Sequence, residues 1–375
     1  MKIYLVGGAV RDQLLGLPVK ERDWVVVGAT VNDMLKLGYR QVGKEFPVFL
    51  HPETKEEYAL ARLERKIKPG YQGFDFDTSP KVSLEDDLLR RDLTINAMAM
   101  DQDSQALIDP YHGRDDLNHR TLRHVSNAFT EDPVRILRVG RFLARYSHLG
   151  FQVAPETLAL MQQMVTSGEV NALVAERVWK ELERALREAH PLKFFEVLAD
   201  CHALSILFPE LSMNDVGMQA LQAATSLTPC PAIRFAALLH AAPKTMPAKK
   251  AITAFCQRYR LPNYFRELAL LTASHHASAF EVQHLSAKTL LTLLGALDVY
   301  RRESRFQDFL LACQAIAAVR QLVFHWQQLA EGASVVKSVP VQPLLQAGLT
   351  GTPLAQALQE KRLLALQHFL KQTPH

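Results

Sequence analysis

The stretch from Ile3 to Asp23 constrains this chain most, because a short apolar run ends in two adjacent glycines that lead into a helix. Gly7 and Gly8 follow Ile3-Tyr4-Leu5-Val6 and precede Ala9-Val10-Arg11-Asp12. Glycine lets the backbone turn sharply and leaves N–H groups accessible. A strand that enters a helix through such a turn is suited to binding a polyphosphate. We therefore expect a phosphate-binding turn here.

Two acids stand directly before the next apolar run, Trp24-Val25-Val26-Val27. If Glu21 and Asp23 lie in this second strand, their side chains point to the same face, because residues two apart do so. Paired carboxylates are ligands for Mg²⁺, which supports phosphoryl-type transfer. Glu57, at the start of a later strand, could supply a third carboxylate to the metal. The alternative is that it is only solvated, as a glutamate on an edge strand usually is. The plain alternative for the pair is a hairpin surface with two solvated acids.

Length and composition set the frame for this site. The 375 residues predict two or three domains, and 48% hydrophobic with 22% charged residues describe an ordinary globular protein. A net charge of +4 permits a nucleic-acid partner without requiring one. None of the four cysteines forms a C-x-x-C pair, which argues against a zinc or disulfide scaffold. We see no signal peptide and no membrane-spanning run, and expect a cytoplasmic protein without a membrane partner.

The first third predicts a small mixed sheet with helices on one face. The expected elements after the second strand are a helix from Val31 to Gly38, strands at Val48–Leu50 and Tyr58–Ala61, a mobile loop from Lys66 to Pro80, and a helix from Leu84 to Ala97. The last of these carries the cluster Arg90-Arg91-Asp92, which either forms surface salt bridges or binds a nucleotide.

A second helix is marked by arginines at steps of three and four. Arg135, Arg138, Arg141 and Arg145 follow Thr130-Glu131-Asp132-Pro133. Like charges at this spacing repel, so we expect a bound anion or an acidic surface to neutralise them. Asp132 is either the helix N-cap or a ligand-binding group.

The rest of the chain reads as successive amphipathic helices, including Thr157–Val165, Glu176–Ala189 and Leu192–Cys201. A mostly apolar helix ends at His240, which is followed by Ala241-Ala242-Pro243. His275 and His276 have no neighbouring carboxylate, so packing and surface roles are expected for them.

Together these motifs resemble the series found in class II CCA-adding enzymes, bacterial tRNA nucleotidyltransferases of the polymerase-β superfamily. The resemblance rests on Leu5 to Asp12, Glu21-x-Asp23, Arg90-Arg91-Asp92 and Glu131-Asp132-x-x-Arg135, in the family's order. The same superfamily contains bacterial poly(A) polymerases. The local sequence, for example Asp109-Pro110-Tyr111, is most similar to the multifunctional CCA protein type. The family's usual Asp-x-Asp is Glu-x-Asp here, and metal binding is expected to survive.

The resemblance implies an α+β fold with three parts: a polymerase-β-like nucleotidyltransferase head at 1–127, a helical neck at 128–225, and a helical body and tail at 226–375 that binds tRNA. Multifunctional CCA proteins carry an HD phosphohydrolase domain near His240. Because the acid of the His-Asp pair is absent, we expect a degenerate HD region with no phosphohydrolase activity and no second metal site.

The resemblance also assigns roles to single residues. Glu21 and Asp23 would hold Mg²⁺ and be catalytic, Asp92 would contact the ribose, and Asp132 and Arg135 would read the base. The other implied nucleotide-binding residues are Gly8, Arg11, Arg91, Arg138 and Arg141. Cytosine and adenine each present an amine donor beside a ring-nitrogen acceptor, which suits a carboxylate and a guanidinium. Uracil and guanine present the reverse, and such a site can reject them by ~10⁴-fold.

The implied activity is template-independent addition of CCA to the 3′ end of tRNA from CTP and ATP, with release of pyrophosphate, by a monomer or homodimer. Two alternatives remain open within the superfamily: a poly(A) polymerase, and a partial enzyme that adds only CC or only A. A third alternative is an inactive RNA- or nucleotide-binding module, against which the intact carboxylate pair argues.

Overall fold

The computed structural model describes residues 1–42, 47–66, 74–241 and 246–372, and at 64–66 and 74–76 it describes the backbone alone. The chain divides into two units. The first comprises Met1–Ala185 and Lys193–Leu207, and the second comprises Leu186–Leu192 and Phe208–His375. The predicted division at 127 and 225 remains a prediction.

The sheet of the first unit is mixed, as predicted. The strands are β1 Lys2–Val6, β2 Asp23–Val27, β3 Arg40–Gln41, β4 Val48–Leu50, β5 Glu57–Leu60, β6 Leu63–Lys66, β7 Phe74–Asp77, β8 Ala99–Asp101, β9 Leu107–Ile108, β10 Thr121–Leu122 and β11 Gln152–Val153. Within the described ranges, seven of them form one sheet in the order β3-β4-β5-β2-β1-β8-β9. β1 pairs antiparallel with β2 and β8, whereas β2 runs parallel to β5.

The register of the central strands brings the end of β1 to the start of β2. Val6, the last residue before the glycines, lies opposite Asp23, and Asp23 lies opposite Glu57. Two polar strand starts and the glycine turn therefore meet at one edge of the sheet.

Both faces of this sheet are covered, so the expectation of helices on one face is wrong. Val25 packs in a cluster with Leu88, and its neighbour Val26 packs in another with Met34 and Phe49. Successive strand residues point to opposite faces, and Leu88 and Met34 belong to different helices. The unbroken apolar run of β2 is typical of a strand buried on both sides.

The helices account for most of the remaining chain. They are α1 Gly8–Leu14, α2 Val31–Lys36, α3 Leu84–Leu89, α4 Gly113–Asn118, α5 Val134–Tyr146, α6 Pro155–Thr166, α7 Ala175–Arg187, α8 Leu192–Asp200, α9 Leu204–Leu207, α10 Val216–Leu227, α11 Pro231–Leu239, α12 Ala248–Arg258, α13 Asn263–Phe280, α14 Ala287–Ala296, α15 Glu303–Val319, α16 Trp326–Ser338, α17 Gln342–Gln346 and α18 Gly351–Gln372. The predicted α+β class and the mainly helical second half are confirmed, and β11, which pairs with β10, is a short exception. No helix of the described residues is long and apolar enough to span a bilayer.

Three local expectations are corrected. Glu21 precedes β2, which begins at Asp23, so the strand argument for side-by-side carboxylates does not apply. The loop predicted from Lys66 to Pro80 includes strand residues, because β6 and β7 pair antiparallel; residues 67–73 lie outside the described residues.

The predicted helix from Leu84 to Ala97 is the third correction. It ends at Leu89, and a separate 3₁₀ turn covers Thr94–Asn96. The carbonyls of Arg90 and Arg91, just past the end of the helix, accept hydrogen bonds from the guanidinium of Arg135 instead of from backbone N–H groups of a longer helix. A side chain from elsewhere in the chain thus replaces helical hydrogen bonds.

Candidate active site

The glycine turn has a conformation that requires glycine. Gly7 has φ 67° and ψ −126°, a region essentially closed to other residues, and Gly8 begins α1. A Cβ atom on Gly7 would lie 2.9 Å from Nη1 of Arg91. The turn therefore brings backbone, Asp23 and the Arg91 guanidinium to one place.

Gly7→Ala is expected to cost about 1–3 kcal/mol of stability through backbone strain and also to raise the KM for nucleotide, because Arg91 must move away. Gly16→Ala is the matched control, since Gly16 also has φ 67° but a methyl group there would meet no atom within 4 Å. Thermal unfolding and steady-state kinetics of both variants separate the two effects. An equal change of KM in both variants would contradict the role given to Arg91.

Asp23 is the centre of a group of acids. It is exposed, yet its pKa is raised, first by partial removal of water and then by the charges of Glu57 and Glu21, against the opposing charge of Arg91. Glu21 therefore lies near enough to repel Asp23 although it is outside the strand. Closely placed carboxylates that repel one another fit a hard divalent cation, which would relieve the repulsion. Among the described residues, no three His, Cys, Asp or Glu side chains converge as a metal site, so a role for Glu57 as third ligand has no support there.

Arg91 is held at the turn by a buried acid that sequence reasoning missed. Asp87 accepts hydrogen bonds from Nη2 of Arg90 at 2.7 Å and from Nη2 of Arg91 at 3.1 Å. Burial would raise the pKa of Asp87, but the adjacent arginines lower it overall. The acid is thus ionised and fixes both arginines of the Arg90-Arg91-Asp92 motif.

Arg11 is buried and enclosed by protein groups. Its Nε and Nη2 contact Oδ1 of Asp12, both at 2.9 Å, and its Nη1 donates to Oδ1 of Asn96. The guanidinium also lies over the rings of Phe142 and Tyr146, at 5.2 and 5.1 Å from their centroids. For Arg11 to contact a nucleotide, one of its hydrogen bonds to these protein groups has to break.

The arginine helix α5 is neutralised by acids, as its charge pattern predicts. Nε of Arg138 donates to Asp92 at 2.7 Å, and Nε of Arg141 donates to Glu181 at 2.6 Å. Nη2 of Arg145 lies 3.2 Å from Asp12, which also accepts from the hydroxyl of Tyr146. Arg138 and Arg141, predicted to bind nucleotide, are therefore ion-paired within the protein.

Asp92 is buried and strongly ionised. Burial alone would raise its pKa, but the charge of Arg138 and hydrogen bonds from Asn96 and Arg138 hold the pKa well below its usual range. Such a carboxylate accepts hydrogen bonds only, which is what contact with a ribose hydroxyl requires.

The two predicted base readers have different partners from those expected. Asp132 accepts from Nη1 of Arg177 at 3.0 Å and from Nη2 at 2.7 Å, a bidentate pair, and it also caps the helix by accepting from the N–H of Val134 at 3.2 Å. Arg135 is buried and donates to the carbonyls of Arg90 at 2.6 Å and Ala128 at 3.0 Å.

Sequence reasoning missed both acid–base partners on α7, Arg177 and Glu181. The available signal was the four-residue spacing of charges along the helix, which places both side chains on one face. Their partners lie about 40 residues or more away in sequence, so the spacing alone could not identify them.

Comparison with known proteins identifies the family. Residues 3–123 match the poly A polymerase head domain, and residues 150–214 match the probable RNA and SrmB-binding site of polymerase A. The multifunctional CCA protein of Thioalkalivibrio sulfidiphilus is 51% identical over 402 residues, covering 98% of each chain. The CCA-adding enzyme of Coxiella burnetii is 50% identical over 367 residues, covering 98% of this chain and 95% of its own. This chain belongs to the family of CCA-adding enzymes.

Solved structures of CCA-adding enzymes share the fold. One apo form has a TM-score of 0.75 at 22% identity, covering 98% of this chain and 88% of its own. A Thermotoga maritima CCA-adding enzyme complexed with tRNA has a TM-score of 0.72 at 21% identity, covering 100% and 88%. Membership confirms the predicted resemblance and makes the chain a tRNA nucleotidyltransferase. Such enzymes generally use a divalent metal ion, which the acids around Asp23 fit.

Two buried histidines, His240 and His276, lie in the helical second unit. The family resemblance implies a degenerate HD domain in this region. The rings of His240 and His276 lie 5.4 Å apart, edge to face. Nδ1 of His240 contacts the carbonyl of Ala237, and Nδ1 of His276 contacts that of Thr272. Ala242 and Pro243, part of the motif on which the expectation rests, lie outside the described residues. Packing is thus the role seen for His276.

His240 predicts a loss of stability in acid. Burial lowers its pKa to about 4, against about 6.5 in an unfolded chain. The neutral imidazole is compatible with the fold, so its contribution is fully present above pH 6.5 and is lost as the pH falls toward 4, by about 3 kcal/mol in total.

His240→Gln should therefore lose less stability than the wild type between pH 7 and pH 4.5, as measured by urea unfolding at each pH. His284→Gln, at an exposed histidine, is the control and should follow the wild type. Parallel pH profiles for wild type and His240→Gln would refute the prediction.

Proposed function

We propose that this chain adds C, C and A to the 3′ end of tRNA from CTP and ATP, without a nucleic-acid template, and releases pyrophosphate. Full-length relatives at about half identity support this activity. The observation that carries the mechanism is the strand register, which puts Asp23 beside the glycine turn. The guanidinium of Arg91 lies against Gly7 at the same turn.

Glu21 and Asp23 are the proposed catalytic pair and would hold Mg²⁺. A bound Mg²⁺ would neutralise phosphate charge and lower the pKa of the attacking 3′-hydroxyl. Partial removal of water, together with repulsion by Glu57 and Glu21, raises the pKa of Asp23, and a bound cation would relieve both effects. Gly8 lies on the same turn, where its backbone can approach the triphosphate closely.

The proposed ligands of the triphosphate are four arginines, Arg11, Arg91, Arg138 and Arg141. Arg91 is the best placed of them, because it is partly exposed and lies against Gly7. All four guanidiniums form ion pairs within the protein, Arg91 with Asp87. They therefore act on the nucleotide either directly, by exchanging an acid for phosphate, or by holding that acid in place. Asp92, ionised and buried, is proposed to accept from the ribose hydroxyl.

Base selection is assigned to Asp132 and Arg135, with Arg177 orienting Asp132. Oδ2 of Asp132 has two acceptor sites, so it can accept from an exocyclic amine while it keeps its hydrogen bond from Arg177. Arg135 must exchange a carbonyl for the ring nitrogen of the base. Cytosine and adenine satisfy both groups, whereas uracil and guanine leave them unpaired.

The proposed setting is the bacterial cytoplasm, with the protein acting on tRNA as a monomer or homodimer. The helical second unit is proposed to hold the tRNA body. No membrane partner is proposed.

The decisive experiment is primer extension on a tRNA transcript that lacks its CCA end, with CTP and ATP supplied separately and together. The expected products are two additions with CTP alone and three with both. Long tails with ATP alone would identify a poly(A) polymerase, and arrest after CC with both nucleotides would identify a partial enzyme. Removal of metal with EDTA should stop extension, and add-back of Mg²⁺ should restore it.

A further inference from the structure

Asn96 is a buried side chain to which none of the functions above is assigned. It closes the 3₁₀ turn at Thr94–Asn96 and is 5% exposed. Its Oδ1 accepts from Nη1 of Arg11, and its Nδ2 donates to Oδ1 of Asp92 at 2.9 Å. Its backbone carbonyl accepts from Nη1 of Arg91 at 3.3 Å. One residue therefore contacts three of the proposed nucleotide-binding side chains.

The chemistry of these partners requires a side chain at position 96 that both accepts and donates, as an amide does. A guanidinium can only donate, and an ionised carboxylate can only accept, so the residue between them must present one acceptor and one donor. This requirement also fixes the orientation of the amide, with oxygen toward Arg11 and nitrogen toward Asp92. An aspartate of the same shape would keep the bond to Arg11 and place two carboxylates against each other.

The contacts also fix the direction of the Asp92 carboxylate. Oδ1 is held by Asn96 and by the N–H of Leu93 at 2.9 Å, while Oδ2 is held by Arg138 at 2.7 Å. With donors on both oxygens, the carboxylate cannot rotate without losing a hydrogen bond to a charged group, which costs about 1.5–3 kcal/mol. Removal of the Asn96 amide releases one side of this arrangement.

We propose that Asn96 is a positioning residue for nucleotide selection, which aligns Asp92 with the ribose 2′-hydroxyl and Arg11 and Arg91 with the triphosphate. The inference rests on the proposed function, because it takes the roles of Asp92 and the arginines from there. It predicts that the preference for ribonucleotides depends on a residue that need not touch the ribose.

The test compares CTP with dCTP in wild type, Asn96→Asp and the control Asn118→Asp, which makes the same change at an exposed position of the same unit. In Asn96→Asp, kcat/KM for CTP is expected to fall about ten- to a hundredfold more than that for dCTP, the value of one lost hydrogen bond to a charged group. Asn118→Asp should keep the wild-type ratio. A merely structural role would lower both values by the same factor, and that result would overturn the inference.

The double variant Asn96→Asp with Asp92→Asn exchanges the two groups and restores donor–acceptor pairing between them. It is expected to recover only part of the melting temperature lost in Asn96→Asp, because the N–H of Leu93 then loses its acceptor and Arg138 loses its carboxylate. It should not recover the preference for CTP, since the carboxylate is then misplaced. Recovery of the full CTP preference would overturn the inference. If Asn96→Asp does not fold, Asn96→Ala supplies the same ratio, and an unchanged ratio there overturns it equally.

Equilibrium binding separates this inference from the proposed function. Wild-type protein that binds CTP more tightly than dCTP but adds nothing to tRNA would refute the function alone. Wild-type addition of CCA with an unchanged CTP-to-dCTP ratio in the Asn96 variants would refute the inference alone.

Discussion

Replacing Asp23 with alanine is expected to lower nucleotide incorporation by about 10³-fold or more, because the proposed metal loses one of its two proposed ligands. Binding of tRNA should stay within about twofold, since a single carboxylate at the sheet edge contributes little to a large, mainly electrostatic interface. Single-turnover extension and filter binding measure the two quantities on the same preparation.

Asp103→Ala is the matched control, because it removes an exposed acid from the same unit. It should leave incorporation unchanged. The variant Glu57→Ala distinguishes a third ligand from a neighbour that only repels Asp23. As a neighbour, its loss would lower the pKa of Asp23 and shift the acid limb of the pH–rate profile to lower pH. Full activity of Asp23→Ala would remove the metal from the mechanism.

Replacing Asp132 with asparagine is expected to reduce the preference for C and A over U and G by about 10²–10³-fold, a large part of what paired polar groups can supply. Asparagine retains an acceptor for the N–H of Val134 and is as good an N-cap as aspartate. It also presents an amide N–H donor, which can pair with the exocyclic carbonyl of uracil but not with the exocyclic amine of cytosine. Misincorporation of each nucleotide into the same tRNA gives the preference directly.

Arg177→Ala tests the second part of this prediction. Loss of the bidentate pair frees Asp132 to rotate, so fidelity should fall, but less than in Asp132→Asn. Arg187→Ala, at the end of the same helix, is the comparison for loss of charge on α7. Wild-type fidelity in Asp132→Asn would show that the residue serves only as a helix cap.

The sequence predicts most where one residue type meets a strict local requirement. The Gly7-Gly8 turn and the arginine face of α5 follow from backbone freedom and helical periodicity, and the structure confirms them. The helix predicted from Val31 begins at that residue. Helices predicted at Thr157–Val165 and Glu176–Ala189 are observed within two residues of those bounds.

The sequence predicts least where a side chain takes over a backbone contact. No local sequence signal predicts that the helix ends at Leu89. The carbonyls of the next two residues are satisfied by Arg135, which lies more than 40 residues later in the sequence. The strands β6 and β7 were missed because the glycines and prolines between and after them are typical of a loop.

The site shows the same division. The residues proposed to bind metal and nucleotide were predicted from sequence motifs. The residues that hold them were not, because they act through contacts between segments distant in sequence; these are Asp87, Asn96, Arg177 and Glu181. Each is an ordinary polar residue of a helix or turn, and only the fold shows what it faces. The roles of the motif residues themselves remain predictions until the variants are measured.

The arginines of α5 are paired with acids from three separate stretches: Asp12 near the N-terminus, Asp92 in the middle of the first unit, and Glu181 in α7. A fragment that ends at residue 127 would keep Asp12 and Asp92 but leave their cationic partners on α5 behind, exposing ionised groups that the intact chain buries. Excision or transplantation of that fragment alone should therefore yield a poorly folded product, and the smallest autonomous piece has to extend through α7.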